Sequence, residues 1–325
     1  MTHRERVIAT IKGEKPDRVP ADYYGTPEAT KKYLELLNLK DEFELIEYLD
    51  TDVIRAVSGP GKANFRRENE FMKNVETPEE VRRLSKDIPP LADIIDNTPI
   101  IQARTRHPDY AILTYGPGSF FLSANSFFGY EKSLMYHATR PDLIKELVKC
   151  GLEYAIEVID KLYKDTKNAV DIISLEDDFG TQTGLYISRE MFLEFYKPAF
   201  TTLIAHIKSY GYFVQFHSCG AVSELIDDFI EIDVDILDPV QVSAKGMDIE
   251  KLAEKYKGKI CFHGGIDTQK LLPYGSVEEV ERQVRRMIKI FEGRKIFISP
   301  SQNFLPDIPV ENLLAMYNTP RTYEG

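Results

Sequence analysis

Three cysteines in 325 residues, Cys150, Cys219 and Cys261, are too few and too scattered for a disulfide framework. Each is therefore read as a reduced thiol, and so as core filler, a ligand or a nucleophile. There is no excess of positive charge either: 41 Lys and Arg stand against 52 Asp and Glu, a net −11 at pH 7. Such a chain has no general attraction for nucleic acid or an anionic membrane. The N-terminus, MTHRERVIATIKG, contains no apolar run like that of a signal peptide, and no later stretch is apolar for long enough to cross a bilayer. A cytoplasmic protein is expected. G-x-G-x-x-G and G-x-x-x-x-G-K-[ST] are both missing, which removes the usual sequence grounds for nucleotide binding. No repeat, low-complexity tract or linker rich in Pro, Gly or Ser divides the chain, so one domain over residues 1–325 is expected.

What is present is alternation. Thr2 and Glu5 fit a capping box, which starts a first helix running to about Gly13. Short apolar or β-rich runs then recur: RVPADYY (18–24), DVIRAV (52–57), AILTYGP (111–117), DIISLED (171–177), YFVQFHS (212–218), DILDPV (235–240), KICFHG (259–264) and KIFISP (295–300). Between most of them lie stretches with apolar residues three and four apart, such as 140–166 and 276–293, which predict helices. Eight strands alternating with helices predict an α/β fold, a (β/α)8 TIM barrel with an N-terminal helical extension, ahead of an open doubly wound sheet.

In a barrel of this kind the chemistry gathers at the C-terminal ends of the strands. In YFVQFHSC, alternation puts Phe213, Gln215, His217 and Cys219 on one face. His-x-Cys at a strand end converges two zinc ligands on one point, with Gly220 letting the chain turn away. A small buried core thiol is the competing reading. In DIISLEDDFGTQTG the same alternation turns Glu176 and Asp178 inward. Carboxylates at the end of a buried strand are costly unless a cation or N–H donors meet them. Capping explains them poorly, because the next N-cap, Ser188, lies ten residues beyond Asp178. In KICFHGGIDT, Cys261 and His263 alternate inward, and His263 reads as a ligand, a substrate contact or a satisfied core histidine. Ser299, Ser301, Gln302 and Asn303 bring further polar groups to the same rim.

VQFHSCG (214–220), ILDPVQ (236–241), CFHGGIDTQKLLPYGSVEEV (261–280) and FISPSQNFLPDIPVENLLAMY (297–317) together resemble the uroporphyrinogen decarboxylase superfamily. So do residues 116–148 and 176–198, and the likeness covers the chain from about residue 110, more weakly before it. The resemblance implies a (β/α)8 barrel and either a tetrapyrrole decarboxylase or a zinc-dependent methyltransferase working with corrinoid proteins. The Arg-rich segment that grips propionates in the decarboxylases is missing, since no Arg stands between Arg18 and Arg55. His217 and Cys219 match the methyltransferase His-x-Cys. The late Cys of the coenzyme M type is not there; Ser299, Pro300, Ser301 and Gln302 stand in its place.

The resemblance therefore implies zinc held by His217, Cys219 and a third ligand, for which Glu176 is the choice, with His263 or Asp178 behind it. Asp178 would give a proton or orient substrate. Tyr23, Tyr24, Phe120, Phe127, Phe128, His263, Gln302 and Asn303 would line the substrate pocket, although core packing is the competing reading for the aromatics. The expected reaction moves a methyl group from a small O- or N-methylated substrate to the cobalt of a cobalamin. With no D-x-H-x-x-G in the chain, that cobalamin would arrive on a separate corrinoid protein. A metal-independent decarboxylase and a noncatalytic ligand-binding or corrinoid-binding protein are the alternatives, and a homodimer is an open assembly.

Overall fold

The structure, a computed structural model, describes residues 1–60, 74–87 and 90–323. Its strands are β1 (Val53–Arg55), β2 (Gly59–Pro60), β3 (Ile95–Asp96), β4 (Ala111–Tyr115), β5 (Ile172–Glu176), β6 (Phe213–His217), β7 (Ile236–Val240), β8 (Cys261–Ile266) and β9 (Ile296–Pro300). β2 and β3 form a small antiparallel ribbon. The other seven form one parallel sheet in the order β1, β4, β5, β6, β7, β8, β9.

The predicted first strand (18–24) pairs at single points rather than as a full strand. Ile298 N–H donates to Pro20 O and Asp22 N–H to Ile298 O, while Asp52 N–H donates to Ala21 O. This segment thus bridges β9 to the residue just before β1 and fills the eighth position of a TIM-barrel ring. It stays short for a local reason: Pro20 has no N–H, and the Ala21 N–H goes to the Asp52 carboxylate at 2.8 Å instead of to a neighbouring strand.

Helices cover the outside where periodicity placed them. The first, His3–Lys12, has the Thr2/Glu5 capping box and ends on Gly13 in the left-handed region. Pro141–Thr166 and Val277–Ile290 follow the predicted stretches, the latter capped by Ser276 and Glu279. No helix among the described residues is long and apolar enough to cross a membrane.

The barrel interior is layered. Val53, Leu113, Ile172, Ile236, Cys261 and Phe297 make an apolar floor, sealed from below by Val7 and Ile11 of the first helix. One register step higher the same strand faces carry Arg55, Ser174, Gln215, Asp238, His263 and Ser299. The sequence thus builds a dry base first and a polar layer upon it, and the mouth of the barrel inherits a rigid support.

Candidate metal centre at the barrel mouth

β6 ends by pointing His217 inward, and the chain turns at once through Ser218 and Cys219. The His217 Nε2 lies 3.2 Å from Cys219 Sγ and 3.9 Å from Asp178 Oδ1. One ligand atom from each of Asp178, His217 and Cys219 lies within 4.8 Å of the others. An imidazole nitrogen, a thiolate and a carboxylate oxygen suit Zn²⁺, and three protein ligands leave a fourth position open.

Two glycines bring Asp178 to that point. A Cβ on Gly220 would stand 2.5 Å from Gly180 C and 2.6 Å from Thr181 O, and one on Gly180 would meet Cys219 O and, at 2.8 Å, Ala221 N. The loops after β5 and β6 therefore touch backbone to backbone. Ala221 N–H donates to Thr181 O at 2.7 Å, and Cys219 N–H donates to Asp178 Oδ1 at 2.7 Å. Gly220 also has φ +87°, which a side chain tolerates badly. A Gly220→Ala variant is expected to push these loops apart and to weaken zinc binding about 10–100-fold, the range for losing a group that supports a ligand. Competition against a chromogenic chelator reads this directly.

Glu176, expected as third ligand, stays outside the group. It pairs in register with His217 across β5 and β6, and so faces the interior beside it. Half-buried, its carboxyl makes no hydrogen bond among the described residues. Burial raises its pKa, opposed by the charge of His217 and reinforced by Asp238. Asp177 points the other way and accepts from the N–H groups of Phe121 and Leu122, both at 2.8 Å, as a structural anchor for the helix Phe120–Phe128.

His263 is 2% exposed, and both its ring nitrogens are engaged by carboxylates, Asp238 at 2.5 Å and Asp22 at 3.0 Å. Neither ring nitrogen is left to face the cluster or the mouth. Burial alone would lower its pKa, but Asp238 and Asp22 reverse that and push it up to about 9. Burial opposes protonation of His217 in the same way and is outweighed by Asp238 and Cys219.

The rim contributes Gln302, exposed, whose Nε2 donates to Cys219 Sγ at 3.2 Å. Asn303 lies next to it, its N–H on Gln302 Oε1 at 3.0 Å. The aromatic residues divide. Tyr24 is half-buried and stacks on the Arg55 guanidinium, 4.2 Å from ring centre to Cζ. Tyr23 is buried against Phe304 and hydrogen-bonded to Thr30, Phe120 packs on Phe200 and Phe128 on Tyr136. For these last three the core explains their positions.

Cys261 lies in the barrel floor, fully buried, where burial pushes its thiol pKa up. Cys261→Ala is expected to leave metal content unchanged and to lower stability by about 1 kcal/mol, as a urea titration would show.

Four residues around this site went unselected in the sequence: Asp22, Arg55, Asp238 and Gln241. Gln241 accepts the Gly220 N–H at 2.8 Å and pins the same turn. Alternation along DILDPV would have turned Asp238 inward, and that was the one available signal.

The family model described as Uroporphyrinogen decarboxylase (URO-D) matches residues 63–323. A methyltransferase from Methanosarcina mazei superposes with a TM-score of 0.72, covering 99% of this chain and 98% of its own, at 17% sequence identity. At that identity the likeness is one of fold. D-psicose 3-epimerase from Clostridium cellulolyticum H10 covers 87% of this chain and 91% of its own at a TM-score of 0.42 and 10% identity. No curated protein matches the chain.

Proposed function

As the chain belongs to the uroporphyrinogen decarboxylase family, we propose that it is a zinc-dependent methyltransferase of that family, acting in the cytoplasm on a small O- or N-methylated substrate and delivering the methyl group to the cobalt of a separate corrinoid protein. The observation that carries this reading is the convergence of Asp178, His217 and Cys219 within 4.8 Å at the barrel mouth. A decarboxylase gripping several carboxylates would need free cations there. Arg18 is instead committed to Asp50 and Asp52, and Arg55 to Asp22.

His217 Nε2, Cys219 Sγ and an Asp178 oxygen would hold the zinc. Bound there, it would supply Lewis acidity toward the heteroatom that loses its methyl group. The remaining work falls to the chain. Gln302 donates to the Cys219 sulfur from the rim and narrows the approach to it. Tyr24, braced on Arg55, offers one aromatic wall. The carbon–heteroatom bond breaks with its electron pair left on oxygen or nitrogen, and that atom takes a proton. Asp178 is held by the Cys219 N–H within the cluster, so the proton comes from Glu176, the uncommitted carboxyl beside His217.

The test is an assay with reduced free cobalamin as acceptor and a panel of methyl ethers and methylamines. Loss of the reduced-cobalt absorbance matched by demethylated product, abolished by chelation and restored by zinc, is the expected result. Release of CO2 from a carboxylated substrate, indifferent to chelation, would replace methyl transfer by decarboxylation.

A further inference from the structure

The ring of His217 has a second nitrogen, and what lies behind it is a chain of buried charges. Its Nδ1 is 2.6 Å from Asp238 Oδ2. The other oxygen of Asp238 is 2.5 Å from His263 Nδ1, His263 Nε2 is 3.0 Å from Asp22 Oδ2, and the same Asp22 oxygen accepts from Arg55 Nη2 at 2.5 Å. Arg55 Nη1 ends the run on the Tyr115 hydroxyl at 3.0 Å. Asp238, His263 and Asp22 are 4%, 2% and 1% exposed.

Ionised carboxylates only accept hydrogen bonds, so a histidine set between two of them has to donate from both nitrogens. His263 is then an imidazolium, and the interior charges alternate: Asp238 negative, His263 positive, Asp22 negative, Arg55 positive. They sum to zero, which is the condition under which such a run can stay buried. The consequence reaches the mouth. Asp238, kept anionic and held on its far side by His263, accepts the Nδ1–H of His217, and that leaves Nε2 as the nitrogen facing Cys219 Sγ and Asp178.

We propose that Asp238 is the positioning residue of the metal site, fixing the tautomer and ring orientation of His217, and that the buried run His263, Asp22 and Arg55 serves to hold Asp238 in place. This rests on the reading of Asp178, His217 and Cys219 as zinc ligands and adds to it the side chains that orient one of them. A purely structural Asp238 would affect unfolding without touching metal affinity, and one that acted on the site by a general loosening would add its effect to that of a ligand mutation. A positioning residue acts through His217 alone.

The experiment is zinc affinity by chelator competition in wild type, D238N, H217A and the double variant D238N/H217A, with circular dichroism to confirm folding. D238N is expected to bind about 10–100-fold more weakly than wild type, and the double variant no more weakly than H217A. Unchanged affinity in a folded D238N, or a D238N effect that persists in the absence of His217, overturns the proposal while leaving the zinc site standing. A wild type that takes up no zinc removes the site and this proposal with it. Should D238N not fold, histidine ¹⁵N spectra of zinc-loaded wild type decide: Nδ1 of His217 protonated and Nε2 metal-bound is expected, and the reverse overturns it.

Discussion

Glu176→Gln should slow methyl transfer about 10²–10⁴-fold, the usual worth of a placed general acid, while leaving one zinc bound per chain. The substitution replaces one carboxyl oxygen by an amide nitrogen and keeps shape and volume, so the fold has little reason to respond. Glu176 ends β5, pairs with His217 in register and makes no hydrogen bond among the described residues. Its neighbour in sequence, Asp177, is consumed by two backbone N–H groups, and Asp178, held by the Cys219 N–H, is the carboxylate that would give its oxygen to the zinc. Glu176 is thus the one carboxyl of the three left to meet a substrate. Burial, the leading influence on it, raises its pKa and so favours the protonated form that an acid requires. Rapid-quench rates together with metal analysis separate the outcomes. A slow variant with full zinc identifies an acid, and a variant that has lost its zinc makes Glu176 the third ligand, as the strand alternation had suggested.

Asp52→Ala should destabilise the protein by about 3–5 kcal/mol, the range for breaking a buried ion pair by removing one partner. Asp52 is fully buried just before β1 and gathers Arg6 at 2.6 Å, Arg18 at 2.7 Å, His3 at 2.9 Å and the Ala21 N–H at 2.8 Å. Those partners come from the first helix and from the segment that fills the eighth position of the ring. Without the carboxylate, Arg6 and Arg18 keep only Asp17 and Asp50, both far more exposed than Asp52, and the shortest staves of the barrel lose their clasp. Urea unfolding followed by circular dichroism would show a lower midpoint at unchanged slope. A midpoint within the error of wild type would mean that the closing segment is held by packing alone.

Much of this architecture could be read from period and punctuation. Seven of the eight predicted runs are strands of the sheet, because each is a short apolar run that ends in a turn and gives way to helical spacing. The eighth, 18–24, was legible in position but not in form, since its hydrogen bonds depend on a carboxylate 31 residues away. His217 and Cys219 were legible because they sit two apart at the end of one strand. Asp178 and Glu176 share a face only while the strand continues. β5 stops at Glu176, and beyond it the direction of Asp178 is set by the contact of Gly180 with Gly220, which no single-strand pattern carries. Asp238 was hidden for a similar reason: within ILDPV it reads as a turn-like Asp-Pro pair. Its meaning comes from His217 and His263 on the neighbouring strands, held at the same level by a register that only the folded sheet defines.

The central claim, that Asp178, His217 and Cys219 form a zinc site, is tested most directly by elemental analysis of protein purified without added metal, for wild type, His217→Ala and Cys219→Ala. One zinc per wild-type chain, lost in both variants, is the predicted result. A well-folded wild type that holds no zinc even after zinc is supplied, or variants that keep it, would contradict the claim and return this histidine and this thiol to the packing of the barrel.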